Sequence, residues 1–229
     1  MQNEDRNIDL IGLGKLAKSI PDDVYLQASE TVTSTFEKLI APITETTSGF
    51  GRYIKQKFDN MVDVEKSLLT YAINNARIKI ENQGRKITIP ASPKSFIRAM
   101  EETSKEVDPL LNILWTNLLA SQLSDDRCHP FFVDILSTLS SKEALLLARL
   151  KPFEHIGNIS NNVLIRPHKI RKWATENKGE LNDWDLSCSI LCEFGLTNYL
   201  APETHKPGDG NVLLYLTYVG KEFLDVVSG

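Results

Sequence analysis

The sequence predicts a mostly α protein: an amino-terminal helical region followed by a winged-helix-like α+β module with a small β-hairpin. Three observations carry that prediction. Apolar residues recur at steps of three and four through most of the chain before Pro152, the repeat of a helix with one buried face. Pairs that start helices, Ser92–Pro93, Asp108–Pro109 and Ser140–Ser141, stand just ahead of apolar runs. After Pro152 the texture changes, and Tyr199–Leu200 and Val212–Leu216 flank the turn-rich segment PETHKPGDGN as two arms of a hairpin.

In chain order, Leu10, Leu13, Ala17 and Ile20 mark a short helix that Pro21 ends. Asp22 and Asp23 favour the start of a second, in which Val24, Ala28, Val32, Phe36, Leu39 and Ile40 form a stripe. Pro42 and the TETTSGFG segment to Gly51 read as a break. From Asn60 to about Asn82 the period is helical again, with Val64, Leu68, Tyr71 and Ile78 on one face and Gly84 as the carboxyl cap. Ile87–Ile89 is a short extended piece, and Ser92–Pro93 opens a helix through Phe96, Ile97 and Met100.

Asp108 then starts the densest apolar helix, with Leu111, Leu114, Trp115, Leu118 and Leu119. Phe132, Ile135, Leu136 and Leu139 repeat the spacing, and Ser140 or Ser141 caps the next helix with Glu143 or Ala144 at its third position. Helices this apolar belong inside a bundle. Beyond Pro152, Val163–Ile165 reads as a short strand and Ile170–Ala174 as helix. Leu186, Ile190, Leu191 and Phe194 are expected to pack inward from a further helix that Gly195 closes. Thr217 caps a last helix carrying Val219, Phe223, Val226 and Val227. The order divides the chain into a helical region, residues 1–139, and the winged-helix-like module, residues 140–229.

At 229 residues, 41% hydrophobic and 24% charged, the chain has the composition of a globular protein. A net charge of −4 argues against a dedicated nucleic-acid binder, though a local basic face remains compatible with it. Three cysteines form no disulfide framework, and the acidic amino terminus lacks the features of an export signal. No stretch approaches the length of a membrane span. The expected location is cytoplasmic.

Four segments together, SKEVDPLLNILWTNLLAS, HPFFVDILSTLSSKEALLL, CEFGLTNYL and LTYVGKEF, resemble the abortive-infection alpha family of bacterial phage-defence proteins. The resemblance rests on Asp108, Trp115, Asn117, Leu118, Leu119, His129, Pro130, Leu139, Ser140, Glu143, Ala144, Leu216, Thr217, Gly220 and Phe223. It covers Pro21 to Val227 and is strongest in the middle. It implies a role in limiting phage spread and brings no catalytic residue or cofactor with it.

The residues themselves nominate few sites. Cys188 and Cys192 share a helix face, and His155, His168 and His205 are nominal co-ligands, but no metal-ligand spacing accompanies them; buried core cysteines are the better reading. Cys128–His129 is read as helix-end chemistry rather than a catalytic pair, because neighbouring side chains point apart. No catalytic residue, metal or cofactor is assigned. The candidate contact surface is basic: Arg166, His168, Lys169, Arg171 and Lys172, with Trp173 among them. The helix from Trp184 to Phe194 carries Asp185 and Glu193 and no cation, which disfavours base-edge reading.

The function expected from these readings is a non-enzymatic anti-phage protein that works by protein interaction or self-association. Two alternatives stay open: a winged-helix nucleic-acid-binding regulator, and an effector that perturbs membranes through its amino-terminal helices. The second draws on Phe50, Tyr53 and Ile54 with their neighbouring cations. No small-molecule substrate is indicated.

Overall fold

A computed structural model describes residues 29–44, 48–124, 128–150, 158–159, 162–163, 168–169, 181–200 and 213–228. These residues are mostly helical, and they part into two compact units. One holds those up to Thr138 together with Val226–Ser228, the other those from Leu139 to Asp225.

In the first unit, α1 (Ser29–Thr44) buries Val32, Phe36, Leu39 and Ile40 of the predicted stripe and Ile43 besides, while Val24 and Ala28 lie outside the described residues. The break expected from Pro42 to Gly51 is narrower at both sides: α1 continues to Thr44 and α2 (Ser48–Asp59) takes in the SGFG segment, while residues 45–47 lie outside the described residues. Pro42 lies in the last turn, where a missing N–H removes a single bond. Packing overrides the poor propensity of the glycines: Ile54 and Phe58 are fully buried, and the Phe58 ring stacks on Phe36 at 3.7 Å.

Helix α3 (Asp63–Asn82) buries Leu68, Leu69, Ala72, Ile73, Ala76 and Ile80. The expected face was turned too far round the helix, since Val64 and Ile78 are each 45% exposed. The alanines explain the shift: a side chain this small contributes little to an apolar stripe in the sequence, yet it lets a neighbouring helix approach closely. Gly84 at φ 65° ends α3, with Arg85 N–H donating to Ile80 O at 3.0 Å and Gly84 N–H to Glu81 O at 2.9 Å. That pair of bonds is the Schellman closure that glycine permits.

The extended stretch after it is fixed at Thr88, whose N–H and Oγ1 both donate to Leu123 O, at 2.6 and 3.1 Å. Ser92 Oγ caps α4 (Pro93–Thr103) by accepting from Ser95 N–H at 3.4 Å. Helix α5 (Pro109–Ser124) is the centre of the unit, buried at every residue from Leu114 to Leu123. It packs on α3 and α4. Its polar residues are buried too, and several have partners: Gln122 Nε2 donates to Ser95 Oγ at 2.9 Å, and Asn117 Nδ2 to Val227 O at 2.7 Å. The short α6 (Phe131–Leu136) buries Phe132, Val133, Ile135 and Leu136.

The second unit begins with α7 (Ser141–Leu150). Strand β1 (Asn158–Ile159) pairs antiparallel with β2 (Asn162–Val163). Strands β3 (His168–Lys169), β4 (Thr197–Leu200) and β5 (Leu213–Leu216) form an antiparallel sheet in the order β3-β5-β4. The two arms flanking the turn-rich loop therefore pair, Thr197 opposite Leu216 through Leu200 opposite Leu213. The third strand, β3, was not foreseen. Helix α8 (Leu181–Glu193) precedes β4, and α9 (Tyr218–Ser228) follows β5. The expected helices at Leu10–Ile20 and Ile170–Ala174 lie outside the described residues, and a winged-helix packing is not established by the elements seen.

Leu186, expected inward, is 64% exposed, while Ser187 beside it is buried. A hydrogen bond from Ser187 to Glu143 holds the serine inward, and one step along a helix turns Leu186 out. Val219 is likewise 40% exposed, whereas Phe223, Val226 and Val227 are buried. Among the described residues, no helix is long and apolar enough to cross a membrane.

Candidate functional site

Of the polar residues singled out in the sequence, Asp108, His129, Ser140, Glu143 and Thr217 sit at helix ends, and Asn117 lies inside α5. Asp108 Oδ1 accepts from Leu110 N–H at 2.9 Å and Leu111 N–H at 3.1 Å, capping α5. Asp108 N–H in turn donates to Glu106 Oε1 at 2.8 Å. Burial pushes the Glu106 carboxyl above its usual value, and the neighbouring Asp108 charge adds to the rise despite that bond. His129 Nδ1 accepts from Phe131 N–H at 3.2 Å where α6 begins, so its role is the predicted one.

The start of α7 is a capping box. Ser140 Oγ accepts from Lys142 N–H at 3.2 Å, and Glu143 Oε2 accepts from Ser140 N–H at 2.8 Å and from Ser140 Oγ. The other carboxylate oxygen, Oε1, accepts from Ser187 Oγ on α8. Glu143 is thus both a cap and a cross-link between two helices of the second unit. Burial alone pushes its carboxyl up, but the donations from Ser140 and Ser187 outweigh it and hold the pKa below the ordinary 4.5.

A second polar node joins the end of α8 to the start of α9. Gly195, at φ 67°, closes α8 with Leu196 N–H donating to Leu191 O at 3.0 Å and Gly195 N–H to Cys192 O at 2.9 Å. Thr217 then caps α9: its Oγ1 accepts from Gly220 N–H at 3.0 Å and donates to Gly195 O, while its N–H donates to Leu196 O at 3.0 Å. Gly220 is required by contact rather than by φ. A Cβ there would stand 1.9 Å from Leu196 O, well inside any tolerable approach.

Of the six nominated contact residues, His168 and Lys169 form β3, paired with Leu214 and Leu213 of β5. Arg166, Arg171, Lys172 and Trp173 lie outside the described residues. Cys188 is buried and Cys192 half-buried, the latter with Sγ 3.3 Å from Thr197 Oγ1. Among the described residues, no group of three or more His, Cys, Asp or Glu side chains is placed to hold a metal.

Three clefts among the described residues of the first unit were not anticipated from the sequence. One of about 290 Å³ lies over Phe36, Ile40 and Phe58, with Glu37, Arg52, Lys55 and Asp59 at its sides. A polar one of about 420 Å³ includes Tyr53, Lys57, Glu65, Glu101 and Lys105. The third, about 210 Å³, lies between Lys94, Arg98 and Asp134. Each carries an ion pair: Lys55 with Glu37 and Lys57 with Glu101, both at 2.6 Å, and Arg98 with Asp134. The acidic partners raise the pKa of both lysines. These pairs are exposed or half-exposed, so they organise charge more than they stabilise the fold. No sequence signal links Lys57 to Glu101 or Ser187 to Glu143, because each contact joins separate helices.

A family model described as abortive infection alpha matches residues 63–227. No curated protein and no solved structure matches the chain.

Proposed function

The chain belongs to the abortive infection alpha family, and from that premise we propose that it limits phage spread through protein interaction or self-association rather than catalysis. The proposed location is the cytoplasm. The observation that carries this reading is the use to which the pattern's polar side chains are put. Asp108, His129, Ser140, Glu143 and Thr217 bond to helix-end backbone or, for Glu143, to a neighbouring helix as well. Residues committed to building two units point to a protein whose output is the surface that those units present. The proposed contact surface is the basic segment of Arg166, His168, Lys169, Arg171, Lys172 and Trp173. We also read the second unit as winged-helix-like, which the β3-β5-β4 sheet and the Gly195 corner between α8 and β4 support.

The test is a phage challenge of cells expressing the chain, with plaque counts and cell survival scored for the natural protein and for Arg171→Glu with Lys172→Glu. The proposal predicts that the reversal abolishes protection and also abolishes a complex recovered by cross-linking from infected cells, at unchanged thermal stability. Protection that survives the reversal overturns the assigned surface. Binding to random-sequence DNA that falls steeply with salt, and disappears with the same reversal, replaces this reading with nucleic-acid binding. Flotation with anionic liposomes, lost on deleting the residues before Gly51, replaces it with a membrane effector.

A further inference from the structure

A helix leaves its last carbonyls without donors of its own. In α9 two of them are met from far away in the sequence. Asn117 Nδ2 donates to Val227 O at 2.7 Å, across 110 positions, and Ser121 Oγ donates to Val226 O at 3.2 Å, across 105. Both donors lie on the buried polar side of α5, one turn apart. From α3, Lys79 Nζ donates to Asn117 Oδ1 at 2.5 Å. That places a cation beside the residue that holds the negative end of the α9 dipole. Val227 is fully buried and Val226 nearly so, and both count with the first unit, while the residues of α9 up to Asp225 count with the second.

We infer that Val226–Ser228 form a latch on the helical unit, with Asn117 as its positioning residue. Asn117 has the chemistry for the role. Its amide oxygen takes the Lys79 ammonium, which turns its NH₂ toward the Val227 carbonyl, and a side chain with only a donor or only an acceptor cannot serve both. The latch includes these two side-chain hydrogen bonds and the burial of Val226, Val227 and Ser228. The last turn of a terminal helix opens at a cost below that of unfolding central helices such as α3 and α5. Opening leaves Asn117 and Ser121 on the polar side of α5 without the tail carbonyls. This inference is independent of the proposed contact surface.

Amide hydrogen exchange on the full chain tests it, comparing Val226–Ser228 with the β4–β5 ladder as an internal reference. Asn117→Leu keeps the volume and removes both bonds. The expected result is exchange about tenfold faster in the last turn, the size of one buried hydrogen bond, with the ladder unchanged. Asn117→Asp keeps a partner for Lys79 but sets a carboxylate against Val227 O, and is expected to release the tail equally. Last-turn rates that stay at the natural value in either variant overturn the latch. So does acceleration that is equal in the ladder, because it reports general unfolding. If both variants fail to fold, Ser121→Ala decides in the same way, with a smaller acceleration confined to the last turn.

Discussion

The helical unit is centred on one buried helix, whereas in the second unit the described polar contacts gather at helix ends. In the first, α5 is buried on all sides from Leu114 to Leu123 and its neighbours close over Trp115, Leu118 and Leu119. The second buries Leu146, Leu150, Leu191, Leu196, Leu216 and Phe223, and adds polar and close contacts at helix ends: Glu143 bridging α7 and α8, the Gly195 closure, Thr217 on the corner carbonyls, and Gly220 against Leu196. The difference teaches which substitutions each unit resists. A large core offers many contacts to lose and some freedom to relax around a cavity, whereas a corner built from one glycine and one hydroxyl has no slack.

The sharpest way to test the first half of that contrast is Trp115→Ala. Removing a fully buried indole costs about 3–5 kcal/mol. The expected outcome is a large fall in the denaturation midpoint, with faster amide exchange in α3 and α5. Equal loss of protection in the β4–β5 ladder would break the distinction between the units. For the second half, Gly220→Ala adds one carbon at 1.9 Å from Leu196 O and is expected to cost about 1–3 kcal/mol or more through overpacking. Gly195 makes the control, because its φ is 67° and nothing lies within 4 Å of a Cβ built there. Asparagine tolerates that backbone region, so Gly195→Asn should cost well under Gly220→Asn. Equal melting temperatures for the two asparagine variants would show that the Gly220 approach does not hold the corner.

Much of the fold was legible because helix ends and apolar stripes are local features. Asp108–Pro109, Ser92–Pro93, the Ser140 and Glu143 spacing, Gly84, Gly195 and Thr217 each announce a boundary within a few residues, and each stands at one. What failed was decided by distant partners. The inward turn of Ser187 depends on Glu143, 44 positions away, and it sends Leu186 to the surface. The helical reading of Ser48–Gly51 depends on Ile54 and Phe58 packing in the unit, against the local preference of two glycines. The buried face of α3 was misjudged because Ala72 and Ala76 fill it with almost no apolar signal. The candidate contact surface was legible only as charge, since nothing in six residues of sequence says what meets them.

The smallest expected effect isolates the electrostatic part of the corner. Glu143 is 4% exposed and its carboxylate accepts three donations from Ser140 and Ser187, which keep its folded pKa below the 4.5 of the unfolded chain. A depressed carboxyl pKa contributes stability that is fully present above pH 4.5 and is lost as pH falls through the folded value. Glu143→Gln retains an acceptor oxygen and removes the charge. Its cost at pH 7 should be about 1.5 kcal/mol, at the lower end of the range for a hydrogen bond to a charged group. The stability difference between natural protein and variant should then shrink as pH drops below 4.5, measured by denaturant midpoints at a series of pH values. A difference that stays constant through the acid range would mean that shape rather than charge fixes α7 to α8. In that case Ser187→Ala should cost as much as Glu143→Gln at every pH, and the second unit would differ from the first only in the size of its contacts.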